Sequence, residues 1–293
     1  MAIYKYVSFS NLKHLLDGTI RFTQPKAFND PFELLPEMYL TGKINGLSID
    51  VTTPRRDGEP ARLEDSFESN YCNDIAAREV LNSISQVIGI LCLSRNPSSL
   101  LMWSHYADEY KGAVVEFDEN HEFFTGLFPV TYEKNRPKID FSLLRDETGR
   151  IRLSELCYKP QEWDYENEVR LARALSDCKL NGTFNDFDVY VMNVPLECIK
   201  SITLGERMPL ENQKHVFGKV QNTCISLGLA AISNWGYTFR PEQIKLNRPI
   251  SEISPAMSPK TAHLFKELDG NLGEVARWLI ENHPMTSRVN KTL

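Results

Sequence analysis

The chain has 293 residues, enough for one large domain or for a domain with an appendage. A hydrophobic share of 42% and a charged share of 25% are those of an ordinary folded protein and exclude disorder, collagen and coiled coil. With 33 basic against 39 acidic residues the net charge is −6, which excludes a surface basic overall and suited to nucleic acid, though not a local basic groove.

Residues 3–7 alternate aliphatic and aromatic side chains around Lys5 and predict a first strand. Ser8 or Ser10 caps the helix that follows, with Leu12, Leu15 and Leu16 as its apolar face, and Gly18 stops it. Residues 19–23 return as a strand with Ile20 and Phe22 inward. Residues 24–33 hold two prolines, Asn29-Asp30 and two phenylalanines, which predicts an ordered turn anchored by buried phenylalanines. Residues 40–60 read as an exposed excursion able to act as a lid, and residues 62–85 show helical patterning through Phe67, Tyr71, Ile75 and Val80. The apolar run at 88–94 predicts a central strand whose end approaches a site.

Residues 100–118 bring two periods together. Leu101, Met102, Tyr106 and Tyr110 recur at helical spacing, with Ser98 or Ser99 as N-cap and Gly112 as the stop, and residues 113–117 continue as a buried strand. On that helix Trp103, His105 and Tyr106 put an indole N–H, an imidazole and a phenol within about one turn, a combination that can line a pocket. Next come a strand at 128–132 and a charged loop with partial helix at 133–149; Arg55-Arg56 and the basic residues at 134–138 read as solvated loops. Residues 156–173 concentrate Lys159, Trp163, Tyr165, Glu166, Glu168 and Arg170, and from Asn167 the alternation fits a strand with its polar side toward a cleft. Strands at 188–194 and 199–204, a helix at 211–227 and a strand pair around 229–240 complete a core domain spanning 1–248. Residues 249–293 form a Ser- and Pro-rich linker and a small helical appendage, two short helices divided near Gly270.

Glu166 and Glu168, two apart on a strand, would share a face, and paired acids in a cleft raise one pKa to make an acid or base. The alternative is that Glu166 caps a turn while Glu168 pairs with Arg170 or Lys159 on a solvated edge. His105 is a candidate catalyst or a hydrogen-bonded packing residue, and Asn29-Asp30-Pro31 a turn or a ligand clamp. The six cysteines are scattered without a C-x-x-C pair, which predicts reduced, mostly buried thiols and no metal. The N-terminus lacks an apolar core segment, and no stretch approaches the roughly 18 apolar residues of a span, so a cytoplasmic protein away from membranes is expected. No Gly-rich phosphate loop, G-x-S-x-G or H-E-x-x-H appears, which moves dinucleotide-fold dehydrogenases, P-loop enzymes, α/β-hydrolases and common zinc proteases out of first place.

In order along most of residues 1–240, Tyr4-Lys5-Tyr6, Leu12-x-x-Leu15-Leu16-x-Gly18, the six residues from Phe28 to Glu33, the seven from Leu101 to Ala107, Trp163-x-Tyr165-Glu166-x-Glu168-x-Arg170 and Ile199-x-x-Ile202-x-Leu204-Gly205 resemble the bacterial family catalogued as domain of unknown function 2971. The opening strand, Leu-rich helix, glycine and strand also resemble the start of ADP-ribosyltransferase folds. That second resemblance implies an α+β fold with a mixed, strongly bent β-sheet core and flanking helices. It further implies an NAD-using enzyme, such as a toxin or phage-defence effector, that transfers to a protein or nucleic-acid acceptor. Glu168, within Glu166-x-Glu168, would stabilise the ribosyl cation; Tyr4, Lys5 and Tyr6 on the first strand, Asn29, Asp30, Trp103, Tyr106, Trp163 and Arg170 would surround the nucleotide, with His105 beside them. Where such enzymes carry His or Arg on the first strand, this chain has Lys5. The rival readings are a metal-independent hydrolase or nuclease, with His105 and Asp30 or Glu33 as acid and base, and a non-catalytic module that docks a partner through the C-terminal helices.

Overall fold

A computed structural model of the chain describes residues 2–39, 72–140 and 152–284. The expected excursion at 40–60, the helical patterning at 62–71 and the expected loop and partial helix at 141–149 lie outside the described residues. In chain order the strands are β1 (Ala2–Val7), β2 (Thr19–Phe22), β3 (Glu37–Tyr39), β4 (Ile88–Ser94), β5 (Ala113–Asp118), β6 (Phe128–Pro129), β7 (Thr131–Glu133) and β8 (Lys138–Asp140). They continue with β9 (Tyr158–Pro160), β10 (Glu168–Ala174), β11 (Lys179–Phe184), β12 (Phe187–Asn193), β13 (Ile199–Leu204), β14 (Ser226–Ile232) and β15 (Phe239–Lys245). The helices are α1 (Phe9–Leu16), α2 (Cys72–Ser85), α3 (Leu100–Tyr106), α4 (Leu210–Val220) and α5 (Asn271–Asn282). These elements form two compact units, one from Met1–Ile20, Leu93–Thr125 and Asn193–Leu293, the other from Arg21–Cys92 and Gly126–Met192.

The first unit is built on a sheet in the order β15, β14, β13, β5, β1, in which β13 and β14 run parallel and the other neighbours antiparallel. This is the mixed sheet of the expected α+β class. The parallel pair needs a crossover, and α4 supplies it, burying Val216, Phe217 and Val220. That helix ends at Val220 and not near residue 227. The Thr223 hydroxyl donates to the Val220 carbonyl and accepts the Ile225 N–H, a local turn that competes with further helix, and the apolar run from Ser226 then leaves as β14. α1 follows its expected pattern, with the Ser8 hydroxyl accepting the Asn11 N–H at 3.3 Å and Leu12, Leu15 and Leu16 buried.

α3 starts as expected, with the Ser99 hydroxyl accepting the Met102 N–H, but it stops at Tyr106 instead of running to Gly112. Asp108, Glu109 and Tyr110 are all left-handed, at φ 48, 51 and 70°. The turn stands because the N–H groups of Glu109, Tyr110 and Gly112 donate to the carbonyls of Ser104, Trp103 and Ala107, which a helix end would otherwise leave unpaired. Gly112 and Gly205 are required here: a Cβ on the first would run into the Val7 carbonyl, and one on the second into the Tyr110 carbonyl. Further on, the first expected C-terminal helix is a single 3-10 turn, Ala262–Leu264, and Phe265 beside it is fully buried against Phe217 at 5.2 Å between ring centres.

In the second unit β4, β10 and β6 are neighbours, with β10 and β6 antiparallel and Arg170 opposite Phe128. The strand expected at 128–132 is interrupted at Val130, whose side chain is buried and whose N–H donates to the Glu168 carbonyl at 3.0 Å. Short parallel pairs β3 with β8 and β7 with β9 flank this sheet, so the described part of the expected loop and partial helix after Glu133 holds a strand. β11 pairs with β12 and was not predicted, because all six of its residues are exposed and it lacks the alternation of a half-buried strand. Ala77 and Ile84 of α2 join Leu34, Leu35, Ile90 and Leu156 in the core. Among the described cysteines Cys157 and Cys198 are buried, Cys92 and Cys178 half-buried and Cys224 exposed, so burial is less general than the sequence suggests; none of the five is in a disulfide. No helix among the described residues is long and apolar enough to cross a membrane.

Candidate functional site

The turn at 28–33 is the first contributor in the second unit. The Asp30 carboxylate accepts the Phe32 N–H at 2.8 Å, the Asp30 carbonyl accepts the Glu33 N–H at 3.2 Å, and Leu34 follows at φ 58°. Asp30 thus acts on its own backbone, and Asn29 is exposed. The geometry drives Glu33 inward and Phe32 outward, where it is 57% exposed; only Phe28 of the two phenylalanines expected to be buried packs inside, beneath the Arg170 guanidinium at 5.2 Å.

The second contributor is the segment from β9 to β10. Glu166 does not lie on a strand with Glu168: it ends the 3-10 helix Gln161–Glu166, and Asn167 reverses the chain at φ 42° before β10 begins. Asparagine tolerates that conformation better than most residues, and its N–H donates to the Asp164 carbonyl. The reversal, not a shared strand face, brings the two carboxylates together. Both meet the Lys159 ammonium at 2.7 Å, with the Glu33 carboxylate 3.5 Å away. Arg170 reaches Glu168 through Nε at 2.9 Å and Nη2 at 3.3 Å and contacts Glu33 directly.

Three carboxylates and two cations therefore occupy one buried cluster in which no side chain is more than 7% exposed. The polar side of β10 faces this cluster and neither a cleft nor a solvated edge. Burial raises the pKa of Glu168, opposed by Lys159 and by a hydrogen bond from Cys92. Burial also works against the charge on Lys159, but Glu168 and Glu166 outweigh it and hold the ammonium above its usual range. The Tyr132 oxygen accepts the Glu168 N–H at 2.8 Å, and the Trp163 ring lies 5.7 Å from the Lys159 nitrogen. Cys157 accepts a long bond from Arg170 at 3.7 Å, and burial raises the pKa of its thiol, so it stays protonated and a poor nucleophile. Because the carboxylates converge on an ammonium, they offer no open point for a cation; among the described residues no group of His, Cys, Asp or Glu is placed to hold a metal ion.

Lys159 also lines a hollow of about 190 Å³, with Phe32, Glu133, Lys134, Arg136 and Tyr158 among the other walls. The basic residues at 134–138 read as solvated loop, yet the Arg136 guanidinium is fixed, donating to the Leu35 carbonyl at 2.9 and 2.6 Å.

The first unit holds the other expected site residues. Trp103 is 2% exposed and central to an aromatic nest: Tyr110 stacks on it at 6.4 Å, and the rings of Tyr6 and Phe239 meet it edge-on at 5.6 and 5.9 Å. It offers a nucleotide no face, and its observed work is packing. Tyr6 donates to the Asn96 carbonyl at 2.9 Å. Tyr4 and Lys5 are half-buried, and burial followed by the nearby Glu116 raises the Tyr4 pKa. His105 is exposed, with half-buried Tyr106 edge-on at 6.3 Å.

Of the residues at this site, Glu33 has a chemical role in the sequence reading only as a rival acid or base, Tyr132 appears only as part of a strand and Arg136 only as part of a solvated basic loop. The Asx turn before Glu33 was the usable signal for the first; the other two depend on pairings between distant segments.

Fold and cluster define an α+β protein with a large mixed sheet and a buried, ion-paired carboxylate group. Residues 102–171 match the model of the family described as Protein of unknown function (DUF2971), a stretch that runs from α3 into β10 and contains Lys159, Glu166, Glu168 and Arg170. No curated protein and no solved structure matches the chain.

Proposed function

We propose that the chain is an NAD-using enzyme of the ADP-ribosyltransferase type, with Glu168 as its electrostatic group. The observation that carries this reading is the convergence of Glu166 and Glu168 on Lys159, the one cluster residue whose side chain also lines the hollow. The sheet order and the strand, short helix and strand at the N-terminus support it as well. In the reaction the bond between the ribose C1′ and the nicotinamide nitrogen breaks and its electron pair leaves with neutral nicotinamide. A nucleophile on a protein or nucleic-acid acceptor then bonds to C1′ and gives up its proton. A carboxylate beside the ribose stabilises the positive charge that develops between these events. Glu168 is only 5% exposed, so it serves this purpose once Lys159 swings from it toward the hollow; Arg170 stays and keeps the carboxylate ionised and oriented.

The test is nicotinamide release from NAD by the purified chain, alone and with protein or RNA as acceptor. Glu168→Gln should lower the rate by about 100-fold or more, the scale of one lost electrostatic group. A variant as fast as the parent removes Glu168 from the chemistry.

A second reading, docking of a protein partner, draws on Val275 and Trp278, which are 50% and 61% exposed three residues apart on α5. Trp278→Glu should abolish capture of such a partner without altering NAD turnover; unchanged capture would remove α5 from it.

A further inference from the structure

The hollow beside the cluster has a chemistry of its own. Its apolar walls include Phe32, which the Asp30 turn holds outward and leaves 57% exposed, and half-buried Tyr158. Its charges are Arg136 and Lys134 against Glu133, an excess of one positive charge on a chain whose net charge is −6. The partners of Arg136 are neutral: Nε and Nη2 bond the Leu35 carbonyl and Nη2 also reaches the Pro36 carbonyl at 3.3 Å. Among the described residues no carboxylate pairs with Arg136 or Lys134, and Nη1 of Arg136 makes no hydrogen bond. Lys159 lines the hollow as well, but its ammonium is engaged by Glu166 and Glu168 at 2.7 Å. A guanidinium anchored by carbonyls and open on one edge is set to receive an oxyanion, and an exposed aromatic wall is set to receive a ring. A volume of about 190 Å³ is on the scale of a cavity that takes benzene, about 150 Å³, so one ring fits within it.

We propose that this hollow is a binding site for a small anion carried on a single planar ring, an aromatic carboxylate or an aromatic phosphate ester, with Arg136 and Lys134 holding the anion and Phe32 and Tyr158 the ring. This goes beyond the NAD reading and does not depend on it: binding here is measured without turnover, and turnover without these probes.

Titration calorimetry with the full chain, using benzoate, phenyl phosphate, inorganic phosphate and benzyl alcohol, decides it. One of the two ring anions should bind with a Kd below about 1 mM, and inorganic phosphate and benzyl alcohol at least about tenfold more weakly. Whichever ring anion is tighter identifies the anion as carboxylate or phosphate. Arg136→Gln should weaken that ligand about tenfold or more. Since this change also removes bonds to Leu35, Lys134→Gln on an exposed side chain serves as the second variant, with a loss of at least about threefold that grows at low salt. The proposal is overturned by an absence of ring-anion binding at about 10 mM, by phosphate or benzyl alcohol binding as tightly as the ring anions, or by unchanged affinity in Lys134→Gln.

Discussion

Lys159 is the residue on which the charges of the second unit balance. With three carboxylates and two cations, full ionisation leaves the cluster one negative charge in excess, and the ammonium touches all three carboxylates while Arg170 touches two. Replacing Lys159 by Met strands buried carboxylates and should cost about 3–5 kcal/mol in urea unfolding at neutral pH, the range for breaking a buried pair from one side. Glu166→Gln removes the surplus charge and keeps a hydrogen-bonding group, so its cost should stay below about 1.5 kcal/mol. Equal losses for the two would mean that the cluster's charges are not balanced as described. Lys159, Glu166, Glu168 and Arg170 stood out in the sequence because they fall within a dozen residues. Their arrangement did not, because the period-two reading assumed an extended Asn167, and a single left-handed residue cancels that assumption. Glu33 joins from 126 positions before Lys159, a contact that local pattern cannot announce.

At the scale of elements, the end of α3 is set by close backbone approach. Gly112→Ala should destabilise the chain by about 3 kcal/mol, since the Val7 carbonyl on β1 blocks the new methyl group; a denaturant midpoint equal to the parent's would show that the strand yields freely. The 3-10 turn after residue 261 makes a prediction in pH. His263 on it is 5% exposed, and burial pushes the imidazole pKa down to about 4, with Lys214 and Lys266 acting the same way and Glu211 and the Lys260 backbone opposing. Between about 4 and about 6.5 the unfolded chain then binds more protons than the folded one, so stability is full above about pH 6.5 and falls as pH drops through that window, by about 3 kcal/mol. His263→Leu should flatten this acid limb in urea titrations at several pH values; an unchanged limb would assign it to other groups. Elements with a continuous apolar run or a clear cap, β4, β13 and α1, were legible with nearly correct bounds. β11 was not, since it is held by pairing alone, and α4 was read too long because nothing in helical period marks the Thr223 turn.

For the whole molecule, mixed α+β architecture was legible because strands and helices alternate without a long regular repeat, while the interleaving of the two units was not, since each is assembled from segments far apart in the chain. In the proposed reaction the Glu168 carboxylate, held by Lys159 and Arg170, acts once Lys159 is drawn away. NAD turnover by the full chain and by Glu168→Gln, with thermal unfolding of both recorded, tests this most directly. Nicotinamide release by the parent is expected, with a loss of about 100-fold or more in a variant that still unfolds cooperatively. Equal release by a folded variant, or no release by the parent with protein or RNA acceptor present, would contradict it.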